Sequence, residues 1–209
     1  MFFILKTQAK IWRKEKLTNN DGPSSKTMLI GWVLVGLFLA FLVLVTSPIG
    51  DLLGPSEWAL ASTLHGLLSI LGVVVVTVAA YLGWKLYKDE IKVNGDLRMM
   101  SAFSVIASVA TIIFGNWVYI GYRAAGGPRA YFLANTPEVH EIFFEFKEFI
   151  ALFTLPLAVG TMYTIWTYRD AISHDKSFRT TIALLLITIW VIFMATFALG
   201  AAITRLRSV

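Results

Sequence analysis

The sequence predicts an all-α polytopic integral membrane protein: a five-transmembrane-helix bundle with a basic amphipathic N-terminal arm. Three observations lead there. Five apolar stretches are each long enough to cross a bilayer, which takes about 20 mostly apolar residues. The Lys and Arg residues flanking them are distributed unequally between alternate loops. The 209-residue chain is 57% hydrophobic, with a mean hydropathy of +0.70, whereas a soluble domain reaches about 45–50% apolar only with glycine counted.

Residues 1–27 form the predicted arm, at the cytoplasmic interface. Lys6, Lys10, Arg13, Lys14, Lys16 and Lys26 make it basic. Phe2, Phe3, Leu5, Ile11 and Trp12 give its first half an apolar side that suits a membrane surface. A secretory signal would place its apolar run directly behind the charges. Here a polar linker, Asn19 to Ser25, intervenes, so the arm reads as uncleaved.

Residues 28–209 form a single membrane domain with helices over 28–47, 58–84, 100–122, 140–167 and 180–204. With the N-terminus inside, thirteen basic residues fall in inner segments and four in outer ones, namely Arg123, Arg129, Arg205 and Arg207. That asymmetry predicts a cytoplasmic N-terminus and an external C-terminus, in a plasma membrane of prokaryotic type. The same placement accounts for the net charge of +5 through lipid headgroups rather than nucleic acid. The outer loop from Arg123 to Val139 carries Gly126-Gly127-Pro128, then Asn135-Thr136-Pro137. Asn135 or Thr136 is expected to cap the fourth helix, with Pro137 at its first position.

The chain has no cysteine, which excludes disulfides, thiolate metal sites, covalent haem attachment and cysteine nucleophiles. It has no GxSxG, HExxH or P-loop pattern, so hydrolytic and nucleotide chemistry lack their usual parts.

His65 and His140 are the candidates for chemistry, because an ionisable residue inside a span marks a functional site by default. His65 lies in a stripe with Ser62, Ser69 and Gly72, where small residues admit another helix or a flat cofactor. His140 opens the fourth helix. Both fall toward its outer side, so the two imidazoles are expected to ligate one haem b in a bis-His site. Arg123 and Arg129 are the expected propionate partners. Chlorophyll magnesium leaves the same trace, and so does a bundle with no cofactor. In layout alone this resembles the small membrane b-type cytochromes, without the second histidine pair of their dihaem members.

The fourth helix begins HEIFFEFKEF. At about 100° per residue, His140, Phe144, Lys147 and Ala151 share a face, with Glu148, Glu141 and Glu145 progressively round from it. Glu141, Glu145, Lys147 and Glu148 are therefore candidates for a proton path or a quinone site, and Lys147–Glu148 for an internal salt bridge. His174 reads as a solvated loop residue.

The sequence-level expectation is a membrane b-type cytochrome or the haem-binding membrane subunit of a redox complex. It would be an electron-transfer component rather than a stand-alone enzyme, with other membrane or extracytoplasmic redox subunits as partners. The alternatives are a cofactor-free structural subunit of a larger membrane complex and a small proton-coupled transporter.

Overall fold

The computed structural model describes residues 57–207, together with residues 23–26, 28, 29, 32, 33, 36 and 40. The predicted arm and first span fall mostly outside the described residues. Those described within the first span (28, 29, 32, 33, 36 and 40) are helical.

Every regular element among the described residues is helical. They are α1 (Glu57–Tyr87), α2 (Gly95–Arg123), α3 (Pro128–Asn135), a π-helix (Val139–Phe144), α4 (Glu145–Leu152), α5 (Thr154–Thr167), α6 (Arg169–His174) and α7 (Lys176–Leu206). Four of the five predicted spans are present as helices long and apolar enough to cross a membrane: Trp58–Tyr87, Gly95–Arg123, Val139–Thr167 and Lys176–Leu206.

The helices overrun their apolar windows because capped polar turns extend them. Asn94 caps α2 by accepting from the Leu97 N–H at 3.0 Å. Asp175 caps α7, accepting from Ser177 and Phe178. A side-chain acceptor at this position satisfies an N–H that the first helical turn leaves orphaned.

The span Val139–Thr167 is not one smooth helix. It breaks at Phe153, between α4 and α5. Pro156 explains the break: it has no N–H for the Leu152 carbonyl, and its ring crowds that carbonyl. The first turn is a π-helix, in which the Glu145 N–H reaches back to the His140 carbonyl. Such turns are rare, and they concentrate at functional sites.

The outer loop also differs from expectation. Arg123 to Val139 contains α3, with Gly127 as N-cap and Pro128 at its first position, where proline's missing N–H costs nothing. Gly126 turns the chain with φ +75°, a conformation glycine adopts freely. Thr136 ends α3 and also precedes the fourth span, whose helical run starts at Pro137 as expected, with the Val139 N–H donating to the Thr136 carbonyl; the Asn135 amide donates back to the Tyr131 carbonyl. The residue before the π-helix is Glu138, which makes no side-chain cap.

α1 packs on both α2 and α7, and α5 completes the bundle against those two. Glycine and serine permit the close approach. The ring of Trp58 lies over Gly121, where an added Cβ would stand 2.6 Å from it. Gly72 meets Phe193 in the same way, and Gly83 meets Leu186. The buried Ser101, Ser104 and Ser108 return their hydroxyls to α2 carbonyls, which satisfies them inside an apolar interface.

Three apolar clusters stack along the bundle. Leu86, Leu97, Ile165, Ile172, Ile182 and Leu186 fill the end away from His140. Val76, Ala158, Ile189 and Phe193 fill the middle. Tyr122, Phe132, Phe144 and Ile203 fill the His140 end.

Candidate functional site

The two histidines occupy different levels of the same end of the bundle. His65 lies against Gly115 of α2, with its Cε1 3.1 Å from where a Cβ on that glycine would stand. His140 bonds to Tyr122 of the same helix. Gly115 and Tyr122 are seven residues apart, about 10 Å of helical rise. Lys147 and Glu148 lie seven and eight residues further along the fourth span than His140, which puts them at about the depth of His65.

At the upper level, both nitrogens of the buried His140 are engaged. Tyr122 Oη lies 2.9 Å from Nδ1, and Arg129 Nε donates to Nε2 at 3.2 Å. A guanidinium only donates, so Nε2 accepts, and the ring proton sits on Nδ1 and is donated to Tyr122 Oη. Glu145 stands 3.6 Å from the same Nε2. The rings are packed too: Tyr122 stacks on Phe144 at 4.1 Å, with an interplanar angle of 1°.

The local folding follows from the sequence. α3 folds Arg129 back over the bundle end because Gly126 and Gly127 reverse the chain. The π-turn keeps His140 and Phe144 both buried, 4% and 8% exposed, so both point inward. Ile142, Phe143, Phe146 and Phe149 face outward, as the helical wheel predicts.

At the lower level, Lys147 Nζ bonds to Glu148 Oε1 at 2.9 Å. The lysine stem packs on Gly200 of α7, where an added Cβ would be 3.4 Å from Cε. Lys147 therefore pairs within its own helix and meets another helix through close packing. His65 Nδ1 is buried with no hydrogen-bond partner, and so is Thr111 Oγ1. Thr111 lies one turn before Gly115, which the His65 ring touches, so two orphaned polar atoms belong to one neighbourhood. A buried polar atom without a partner costs about 1–3 kcal/mol, and one in a native protein calls for an explanation.

Lys147 and Glu148 thus stand one level below His140 on the same span, in a column of ionisable groups. The other candidates lie around this column. Glu141 is exposed, and so is Glu145, which still reaches His140. Arg123 lies over the Tyr119 ring at 5.4 Å. His174 is exposed at the far end, as expected.

A single haem shared by His65 and His140 does not fit this arrangement. The rings are offset by two helical turns, and Arg129 occupies the His140 nitrogen farther from the backbone. Among the described residues no group of three or more His, Cys, Asp or Glu residues gathers as a metal site. Sequence reasoning gives Thr111 no site role and notes Tyr122 only as a neighbour of Arg123 and Arg129. Tyr122 stands at the helix end beside Arg123, where an aromatic residue reads as an interfacial anchor, and Thr111 belongs to a stripe of small residues that reads as packing.

Among the described residues, fold and site define an all-helical bundle suited to a lipid bilayer, with ionisable side chains gathered toward one end. No family model, curated protein or solved structure matches the chain.

Proposed function

We propose that this protein is a small proton-coupled membrane transporter. In this reading Glu148 and His65, beneath the His140 end, take up the coupling proton. The observation that carries it is a set of ionisable groups within the spans: His65, whose buried Nδ1 has no hydrogen-bond partner, and the Lys147–Glu148 pair one level below His140. Ionisable groups inside a span are costly, and proton relays are among the functions that retain them. The column stops at the apolar middle cluster of Val76, Ala158, Ile189 and Phe193. That supports access from one side at a time, as coupled transport requires, rather than an open channel.

The membrane is a prokaryotic-type plasma membrane. The N-terminus is cytoplasmic and the His140 end faces outward, on the strength of the basic-residue asymmetry. A first span over 28–47 completes the five-helix bundle behind the 1–27 arm.

Carbodiimide labelling tests this reading, since the reagent modifies carboxyls that carry a proton in apolar surroundings. At acid pH, where Glu148 has taken up the coupling proton and released Lys147, peptide mass spectrometry of the labelled full chain should find the adduct on Glu148. Labelling confined to the exposed Glu141 and Glu145 would overturn the proposal.

A second reading has one observation in its favour. The orphaned Nδ1 of His65 is a nitrogen available to a metal, so His65 alone could ligate a haem or chlorophyll in a membrane redox subunit. Extracytoplasmic redox partners and quinone belong to that reading. The absorption spectrum of gently purified protein decides it: Soret and α/β bands favour haem, and a colourless protein removes this reading.

A further inference from the structure

At the end of the bundle opposite His140, a cavity of about 450 Å³ is lined by Arg98, Trp166, Thr167, Tyr168, Arg169 and Asp170, among others. It lies where α2 begins and α5 ends. Its size falls in the range of small-molecule sites, about 300–1,000 Å³.

Arg98 is the key to it. Its guanidinium lies over the Trp166 ring at 4.3 Å, and the Trp166 indole N–H donates to the Arg98 backbone carbonyl at 3.2 Å. Arginine and tryptophan thus fix each other in one wall of the cavity. Yet Arg98 Nε is buried with no hydrogen-bond partner. A charged donor held in place without an acceptor calls for an anion.

The charge sets the kind of anion. Among the described lining residues, Arg98 and Arg169 stand against a single carboxylate, Asp170. Asp170 is 91% exposed and stands 3.7 Å from Arg169, so it turns outward. A singly charged phosphodiester complements Arg98, whose planar guanidinium suits its oxygens.

The surroundings indicate what carries the phosphate. Trp166, Tyr163 and Val159 are 49%, 60% and 43% exposed, and they follow i, i−3, i−7 spacing along α5. They form an apolar strip running from the cavity toward the middle of the bundle, the shape an acyl chain would follow. Aromatic residues at helix ends sit at headgroup depth.

We propose that this cavity binds the phosphate of an anionic phospholipid, with Arg98 as the principal ligand and an acyl chain along Trp166, Tyr163 and Val159.

The full chain, purified in detergent, would be incubated with equal amounts of phosphatidylglycerol and phosphatidylcholine, and the retained lipid read by native mass spectrometry. Phosphatidylglycerol should be retained several-fold over phosphatidylcholine. Arg98→Gln should abolish that preference, and Arg205→Gln, at the other end of the bundle, should leave it intact. If Arg98→Gln does not fold, Arg169→Gln carries the same test, because it leaves the Arg98–Trp166 stack in place. Equal retention of both lipids, or a preference that survives both substitutions, would overturn the site. Displacement of the lipid by excess inorganic phosphate would overturn the lipid assignment and give the site to the free anion.

Discussion

Arg129 Nε donates to His140 Nε2 at 3.2 Å, from a short helix that neither histidine-bearing span contains. This contact settles the role of the loop between α2 and the π-helix. It brings a permanent positive charge over the buried ring and fixes which nitrogen carries the proton.

Nitrogen NMR of histidine-labelled protein should therefore find His140 in the Nδ1–H form. The Nε2–H form is incompatible with the Arg129 bond. Arg129→Gln should keep the fold and lower the melting temperature by a few degrees, since a hydrogen bond to a charged group contributes about 1.5–3 kcal/mol. An unchanged melting temperature would mean that Arg129 does not hold the ring.

Lys147→Met should destabilise the bundle in detergent by about 1–2 kcal/mol. Breaking a fully buried pair costs about 3–5 kcal/mol. Glu148 keeps 36% of its side chain exposed, and solvent screening reduces the penalty. Adding Glu148→Gln should recover part of the loss, because it removes the unpaired charge. A double variant no better than the single one would show that packing against Gly200 dominates.

Glycine substitutions should separate close packing from open surface. Gly121→Ala places a methyl 2.6 Å from the Trp58 ring, while Gly66 has nothing within 4 Å. Overpacking of this kind typically costs about 1–3 kcal/mol. Thermal unfolding should show a clear loss for Gly121→Ala and none for Gly66→Ala. Equal effects would place the α1–α2 contact elsewhere.

The spans are legible in the sequence because a bilayer demands unbroken apolar length. The breaks within them are less so. Pro156 was a visible signal for the kink at Phe153, yet the apolar run continues through it. The π-turn at Val139–Phe144 adds a residue to a turn without changing composition, so nothing in HEIFFEF announces it. α3 is short and mixed in polarity, and its placement depends on the Gly126–Gly127 reversal.

The site was half legible for the same reason. The inward face of the fourth span follows from helical periodicity, and the wheel sorts His140, Phe144 and Lys147 correctly. Relative depth between helices does not follow from periodicity. At 1.5 Å per residue, a small error in where each span enters the membrane decides whether His65 lies level with His140 or with Lys147.

Reporter fusions at Asn94 and Gly127 should give cytoplasmic and external signals respectively. The warrant is the excess of basic residues in the loops on the Asn94 side. Matching signals at the two loops would remove the outward-facing entrance to the column.

Proton uptake tests the account most directly. Full-length protein in proteoliposomes, with its His140 end outward, would receive an acid pulse outside while a membrane-impermeant dye reports external pH. The account predicts reversible uptake in proportion to the protein present, reduced by Glu148→Gln and by His65→Gln but not by His174→Gln. Uptake no greater than in protein-free vesicles, or uptake unchanged by Glu148→Gln, would contradict it.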